Sequence, residues 1–215
     1  MKVIFIAGSW GSGTTMVIGA LDHLGVPTFG PHFHSNDPRT PNTYELTAFR
    51  RLILDHLNER TMMPDKRFTS KDDYSHQLIA ALHQLRQQLE RGDFGPWPEG
   101  KRKVVALKVP LASMCLPEIT QVFDTDIICV HRPLSEIEAS RVRRRWPKHL
   151  GGEGAEKVYS QMFSDLFERK LSALMVSHGD FIKHTRDSLE KIINYCDLHF
   201  LENNIDNAIG FVRKD

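Results

Sequence analysis

Val3-Ile4-Phe5-Ile6-Ala7-Gly8-Ser9-Trp10-Gly11-Ser12-Gly13-Thr14-Thr15 is the stretch on which the fold turns. Its apolar start, with no polar residue alternating through it, reads as a strand buried on both faces. Gly8, Gly11 and Gly13 end the extended run, and Met16, Val17, Ile18, Ala20, Leu21 and Leu24 open an apolar helix directly behind them. A strand, a glycine turn and a helix in that order make a phosphate cradle. Glycine lets successive N–H groups face inward, the helix N-terminus adds partial positive charge, and Ser12, Thr14 and Thr15 supply hydroxyls. Gly11, Ser12, Gly13, Thr14 and Thr15 are therefore the expected anion-binding residues. Against the nucleotide P-loop pattern G-x4-G-K-[ST], Gly8 and Gly13 have the right spacing, but Thr14 stands at the lysine position. A nucleotide hydrolase needs that lysine on the β and γ phosphates, so this loop suits a nucleotide whose reacting group is handled differently. A plain strand-to-helix turn is the alternative reading.

Working outward, three more short apolar runs follow: Val104 to Leu107, Ile127 to Val130, and Leu174 to Val176. Between them, helical spacing joins Leu46, Phe49, Ile53 and Leu57; Leu78, Leu82, Leu85 and Leu89; Phe163, Phe167, Leu171 and Leu174; and Leu189, Ile192, Ile193 and Cys196. Strand alternating with helix predicts an α/β fold of three layers, P-loop-like, with a central parallel sheet flanked by helices. The 215 residues suit a single domain, 1–215, in which a helical segment at about 44–92 is inserted into the α/β pattern. Two connections are irregular: Pro27 to Thr43, with four prolines, and Gly92 to Gly100. The first has the length of a binding loop or lid, or of a long surface connection.

Lys and Arg number 28 against 27 Asp and Glu, for a net charge of +1. No whole-molecule field recruits nucleic acid or an anionic membrane, so anion binding must be local. Cys115, Cys129 and Cys196 are odd in number and set among apolar neighbours, which suits reduced core thiols and a cytoplasmic location. The first apolar run is too short for a signal segment, and no stretch is long enough to anchor the chain in a membrane.

The third run ends in His131-Arg132-Pro133, and a helix follows. Arg132 sits at the carboxyl end of a strand, and Ser140 lies eight residues on, so a guanidinium and a hydroxyl could converge on one anionic group. Arg141, Arg143, Arg144, Arg145 and Lys148 extend a basic stripe that reads either as a path for an acidic substrate or as a solvated helix face. Lys108 follows the second run directly, at the strand end where ligands of such sheets bind.

Ser12-Gly13-Thr14-Thr15 together with Arg132 and Ser140 resembles the sulfotransferase family that uses 3′-phosphoadenosine 5′-phosphosulfate (PAPS). The resemblance implies that the S-G-T-T loop binds the 5′ end of the donor and that the R-x7-S element holds its 3′ phosphate. The segments from Asn36 to Glu45 and from Val176 to Phe181 are similar to bacterial members, so the likeness spans most of the chain. It implies a P-loop-like fold and sulfuryl transfer from PAPS, leaving 3′-phosphoadenosine 5′-phosphate (PAP). The acceptor would be a hydroxyl, or an amine, of a carbohydrate or small molecule, with no metal required. On this reading Lys108, in a K-x-P context, is the leaving-group stabiliser. Glu45, expected in the first turn of a helix, is the general base. Phe211-Val212-Arg213-Lys214 resembles a basic element that caps the 3′ phosphate in some members, and at a chain end also reads as a frayed tail. Many members carry Lys or Arg where this chain has Gly11, which removes one expected cation. A nucleoside or small-molecule kinase and a catalytically inactive nucleotide-binding module remain the competing readings.

Overall fold

The computed structural model describes residues 1–100, 102–199 and 202–212. In chain order its elements begin with β1 (Lys2–Ala7), α1 (Thr14–Leu24), β2 (His32–His34), β3 (Asn42–Leu46), α2 (Thr47–His56), β4 (Leu57–Asn58) and β5 (Met63–Pro64). Then come α3 (Lys71–Arg91), β6 (Val104–Leu107), a 3-10 turn (Pro110–Met114), α4 (Leu116–Val122), β7 (Asp124–His131) and α5 (Leu134–Arg144). A second 3-10 turn (Lys148–Leu150), α6 (Gly152–Glu168), β8 (Ala173–Ser177), α7 (His178–Lys183), α8 (Thr185–Tyr195) and α9 (Glu202–Val212) complete it. The four apolar runs pair side by side as one parallel sheet in the order β6-β1-β7-β8.

Successive side chains of a strand point to opposite faces, and β1 serves two cores in this way. Val3, Phe5 and Ala7 pack with Phe49, Leu78, Leu82, Ile119 and Met162 under α2, α3, α4 and α6. Ile4 and Ile6 pack with Val17, Leu21, Leu189, Ile192 and Ala208 under α1, α8 and α9. This is the expected α/β class, a central parallel sheet flanked by helices, and it explains why β1 shows no polar alternation. The helix ends are local chemistry. Gly25, at φ 94°, closes α1 by sending its N–H to the Asp22 and Leu21 carbonyls, and Ser70 caps α3 by accepting the Asp73 N–H.

The segment at 44–92 contributes α2, α3 and the short β4–β5 hairpin to the first face. The Pro27 to Thr43 connection is not wholly irregular, because β2 pairs antiparallel with β3. Its tip is braced by the Ser35 hydroxyl on the Thr40 carbonyl at 2.6 Å and by Arg144 on Asp37 at 3.2 Å.

Two expectations about elements are corrected. Glu45 lies in β3, not in the first turn of a helix, and α2 starts only at Thr47. The pairings of His34 with Asn42 and of His32 with Leu46 bracket Glu45 within the strand, with an irregular register and Tyr44 left-handed at φ 55°. The stripe of α6 that reaches the core is Ala155, Val158, Met162 and Leu166, whereas Phe167 is 81% exposed. Leu171 and Leu174 lie beyond the helix end, the latter in β8. All three cysteines are buried and free, and burial pushes the Cys129 and Cys196 thiols up to about 12, as for inert core thiols. Among the described residues no helix is long and apolar enough to cross a membrane.

Candidate active site

The cradle starts where β1 ends. A Cβ on Gly8 would lie 2.6 Å from the Val130 carbonyl and 2.8 Å from Ser12 Oγ, so only glycine lets the chain turn this close to β7. Ser113 clamps the same residue, its Oγ accepting the Gly8 N–H at 2.9 Å and donating to the Gly8 carbonyl at 3.2 Å. Ser12 is fully buried and donates to the Ser9 carbonyl at 2.7 Å, so its hydroxyl braces the loop. Gly13, at φ 99°, is the N-cap of α1 and its carbonyl accepts from Met16 and Val17. The Thr14 and Thr15 N–H groups precede the first intrahelical bond, and the first turn carries no acidic residue to compete with an incoming anion.

Lys108 comes from the carboxyl end of β6, next to β1, and is 2% exposed. Its Nζ donates to Thr15 Oγ1 at 3.0 Å, to the Thr43 carbonyl at 3.1 Å and to Glu45 Oε1 at 2.9 Å. Glu45 Oε2 lies 3.4 Å from Arg50 Nε, and Arg50 reaches on to Glu59 at 3.2 Å while stacking on Phe33. Thr15, Lys108 and Glu45 thus converge from three separate elements on one side of the cradle.

Arg132 follows β7 and its guanidinium spans two anchors, Glu136 Oε2 at 2.9 Å and the Gly11 carbonyl at 3.4 Å. Its backbone N–H donates to the Tyr159 hydroxyl at 3.2 Å. Ser140 is buried on α5, and among the described residues no hydrogen bond joins it to Arg132. Two of the five residues of the basic stripe are structural: Arg141 braces Glu138 and the Trp146 carbonyl, and Arg144 holds Asp37 and Thr40. Arg143, Arg145 and Lys148 are exposed. Arg213 and Lys214, the proposed C-terminal cap, lie outside the described residues.

Tyr159 and His178 border the cradle without having been singled out as site residues. Burial raises the Tyr159 phenol, opposed by hydrogen bonds with Ser9, the Arg132 backbone and Ser12, which places this helix residue against the loop. His178 touches Gly13 so closely that a Cβ there would sit 2.4 Å from its ring. Burial and the Arg132 charge hold the His178 imidazole below its ordinary value, with Glu136 opposing. A signal for His178 existed, since it opens the turn after β8 at the sheet edge where ligands bind. Tyr159 has none, because only tertiary packing of α6 brings it there.

The sequence profile of the Sulfotransferase family matches residues 3–202. Among solved structures, the sulfotransferase domain of the Synechococcus PCC 7002 olefin synthase superposes with a TM-score of 0.59 at 17% identity, covering 96% of this chain and 77% of that one. Sulfotransferase STF1 from Mycobacterium tuberculosis H37Rv gives 0.61 at 13% identity, covering 97% and 70%. STF9 from Mycobacterium avium gives 0.57 at 15%, covering 98% and 67%. At these identities the structural likeness shows the fold alone. A search of curated proteins returns no sequence match.

Proposed function

Since the chain belongs to the sulfotransferase family, we propose that it moves a sulfuryl group from PAPS to a hydroxyl, or an amine, of a carbohydrate or small-molecule acceptor. The observation that carries this reading is the buried Lys108, fixed on Thr15 of the cradle and on Glu45 at once. A cation, a phosphate-binding helix turn and a carboxylate are the groups that such a transfer asks for. The donor fits the residues present: the Thr14 and Thr15 N–H groups precede the first intrahelical bond, and no acidic side chain stands in the first turn of α1.

On this reading Gly11, Ser12, Gly13, Thr14 and Thr15 hold the 5′ end of the donor, and Arg132 with Ser140 holds its 3′ phosphate. The bound donor supplies the activated sulfuryl group and leaves as PAP. Lys108 holds positive charge beside Thr15 for the leaving phosphate. Glu45, with Lys108 on one oxygen and Arg50 on the other, takes the acceptor proton at its carboxylate. Arg132 sits on the Gly11 carbonyl and brings a guanidinium to the loop residue that lacks a cation of its own. The reading takes 1–215 as one catalytic unit with 44–92 as its helical insertion, acting in the cytoplasm. Thr14 at the lysine position speaks against a nucleoside or small-molecule kinase.

Calorimetric titration with PAP, and in parallel with ATP plus Mg²⁺, tests the donor on the wild type and on Arg132→Ala. PAP binding that depends on Arg132, with ATP much weaker, is the expected result. ATP binding as tightly as PAP would replace the reading with the kinase. PAP binding followed by no sulfate transfer to any acceptor in a broad PAPS screen would leave the inactive binding module.

A further inference from the structure

Away from the cradle, a cavity of about 560 Å³ opens where the turn of the β4–β5 hairpin faces the start of α6. Its walls come from three places: Arg60 and Met62 from the hairpin, Lys148 and His149 from the second 3-10 turn, and Glu153 and Lys157 from α6. Three permanent cations and a histidine thus surround a concavity that holds one carboxylate. Among the described residues Arg60, Lys148 and Lys157 are in no ion pair, although Arg50, Arg132, Arg141 and Arg144 all are. In a chain whose net charge is only +1, this is a local excess of positive charge. The N-terminal turn of the 17-residue α6 also lines the cavity, and its macrodipole has the same sign.

The cavity is linked to the proposed reaction centre. Lys108 pairs with Glu45, Glu45 with Arg50, and Arg50 with Glu59, whose chain neighbour is Arg60. Contacts thus run from the carboxylate proposed to take the acceptor proton, through Arg50, to Glu59, the residue that precedes Arg60 on the basin wall. We propose that it binds an anionic group of the acceptor, a carboxylate, sulfate or phosphate, so that the substrate is an extended acidic molecule lying past Arg50. This rests on the sulfotransferase reading for the word acceptor, but not for the anion site itself. Guanidinium and ammonium groups on flexible stems, converging from three elements, select charge more than shape. They favour a substrate already carrying a negative group over its neutral analogue.

The experiment is an NMR titration of the ¹⁵N-labelled protein, first saturated with PAP, using inorganic pyrophosphate as the probe. Saturable shifts of the Arg60, Lys148, Glu153, Gly154 and Lys157 amides are expected, and they should vanish in the Arg60→Ala/Lys148→Ala/Lys157→Ala variant while its spectrum elsewhere stays folded. Shifts scattered over surface lysines, or unchanged in the variant, overturn the site. A kinetic arm compares a neutral glycoside with the matching uronide as acceptors for PAPS. The uronide is expected to have the lower KM, by about tenfold, with kcat similar, and the variant should erase that preference. A preference that survives in the variant overturns the acceptor assignment. If PAP fails to bind while pyrophosphate still finds the basin, the donor reading fails and the acceptor assignment falls with it, leaving the anion site standing.

Discussion

Lys108 Nζ lies 2.9 Å from Glu45 Oε1, and the two side chains keep only 3% and 9% of their exposure. The residues come from different strands, one at the end of β6 and one in β3, so this contact ties the small hairpin to the main sheet directly beside the cradle.

Removing one partner of a buried ion pair leaves the other charge uncompensated, at about 3–5 kcal/mol. Arg50 still touches Glu45, so Lys108→Met is expected near the lower end, about 3 kcal/mol, measured by urea unfolding. The double variant Lys108→Met/Glu45→Gln should recover much of that stability and none of the turnover. Wild-type stability in Lys108→Met would show that the pair does not hold the hairpin.

Glu45→Gln separates the proton-taking role from the role of holding Lys108. The amide keeps the size of the side chain and an oxygen for Lys108 to donate to, but it takes no proton. A general base is worth about 10²–10⁴ in rate, so kcat is expected to fall by that factor while PAP binds as in the wild type. A fall of less than about tenfold would make Glu45 a positioning residue for Lys108.

Gly13 is held at φ 99° with no room for a Cβ beside the His178 ring. Alanine there meets two separate penalties: about 1–2 kcal/mol for the left-handed backbone and the clash with His178. Gly13→Ala is expected to weaken PAP by at least about tenfold and to lower Tm. In Gly13→Ala/His178→Ala the clash disappears but the backbone cost remains, so recovery should be partial. Full recovery of Tm would assign the whole effect to the ring.

What was legible in the sequence was local. The glycine loop, the strand-end positions of Lys108 and Arg132, and the parallel sheet all follow from short runs whose chemistry is complete in itself. Glu45 was legible as a residue but not as a strand residue, because its place in β3 depends on pairing of the flanking Asn42 and Leu46 with β2, at the other end of the intervening loop. For α6 the aromatic stripe Phe163 and Phe167 fits the helical period as well as Met162 and Leu166 do, and periodicity alone does not say which neighbouring stripe meets the sheet. The contact between Lys108 and Glu45, and the approach of Tyr159 to Ser9 and Ser12, require the strand order and the placement of α6. Neither is encoded near those residues.

Asp165, on the inner side of α6, gives the fold a pH dependence whose direction can be worked out. Burial, with Glu118 and Glu168 adding like charge, pushes its carboxyl from the ordinary 3.8 up to about 6, against the hydrogen bond from Gln161. Its Oδ2 is buried and, among the described residues, has no hydrogen-bond partner. Between those two values the folded state holds a proton that the unfolded chain has released, so stability falls as pH rises through that window and the penalty is complete above about 6. Asp165→Asn removes the charge and keeps the shape. With solvent screening counted, it should stabilise the protein by about 1–2 kcal/mol at pH 8 and by almost nothing below pH 3.8. Urea midpoints of both proteins across pH 4 to 8 would check this. An equal gain at the two ends would show that the effect comes from packing and not from the buried charge.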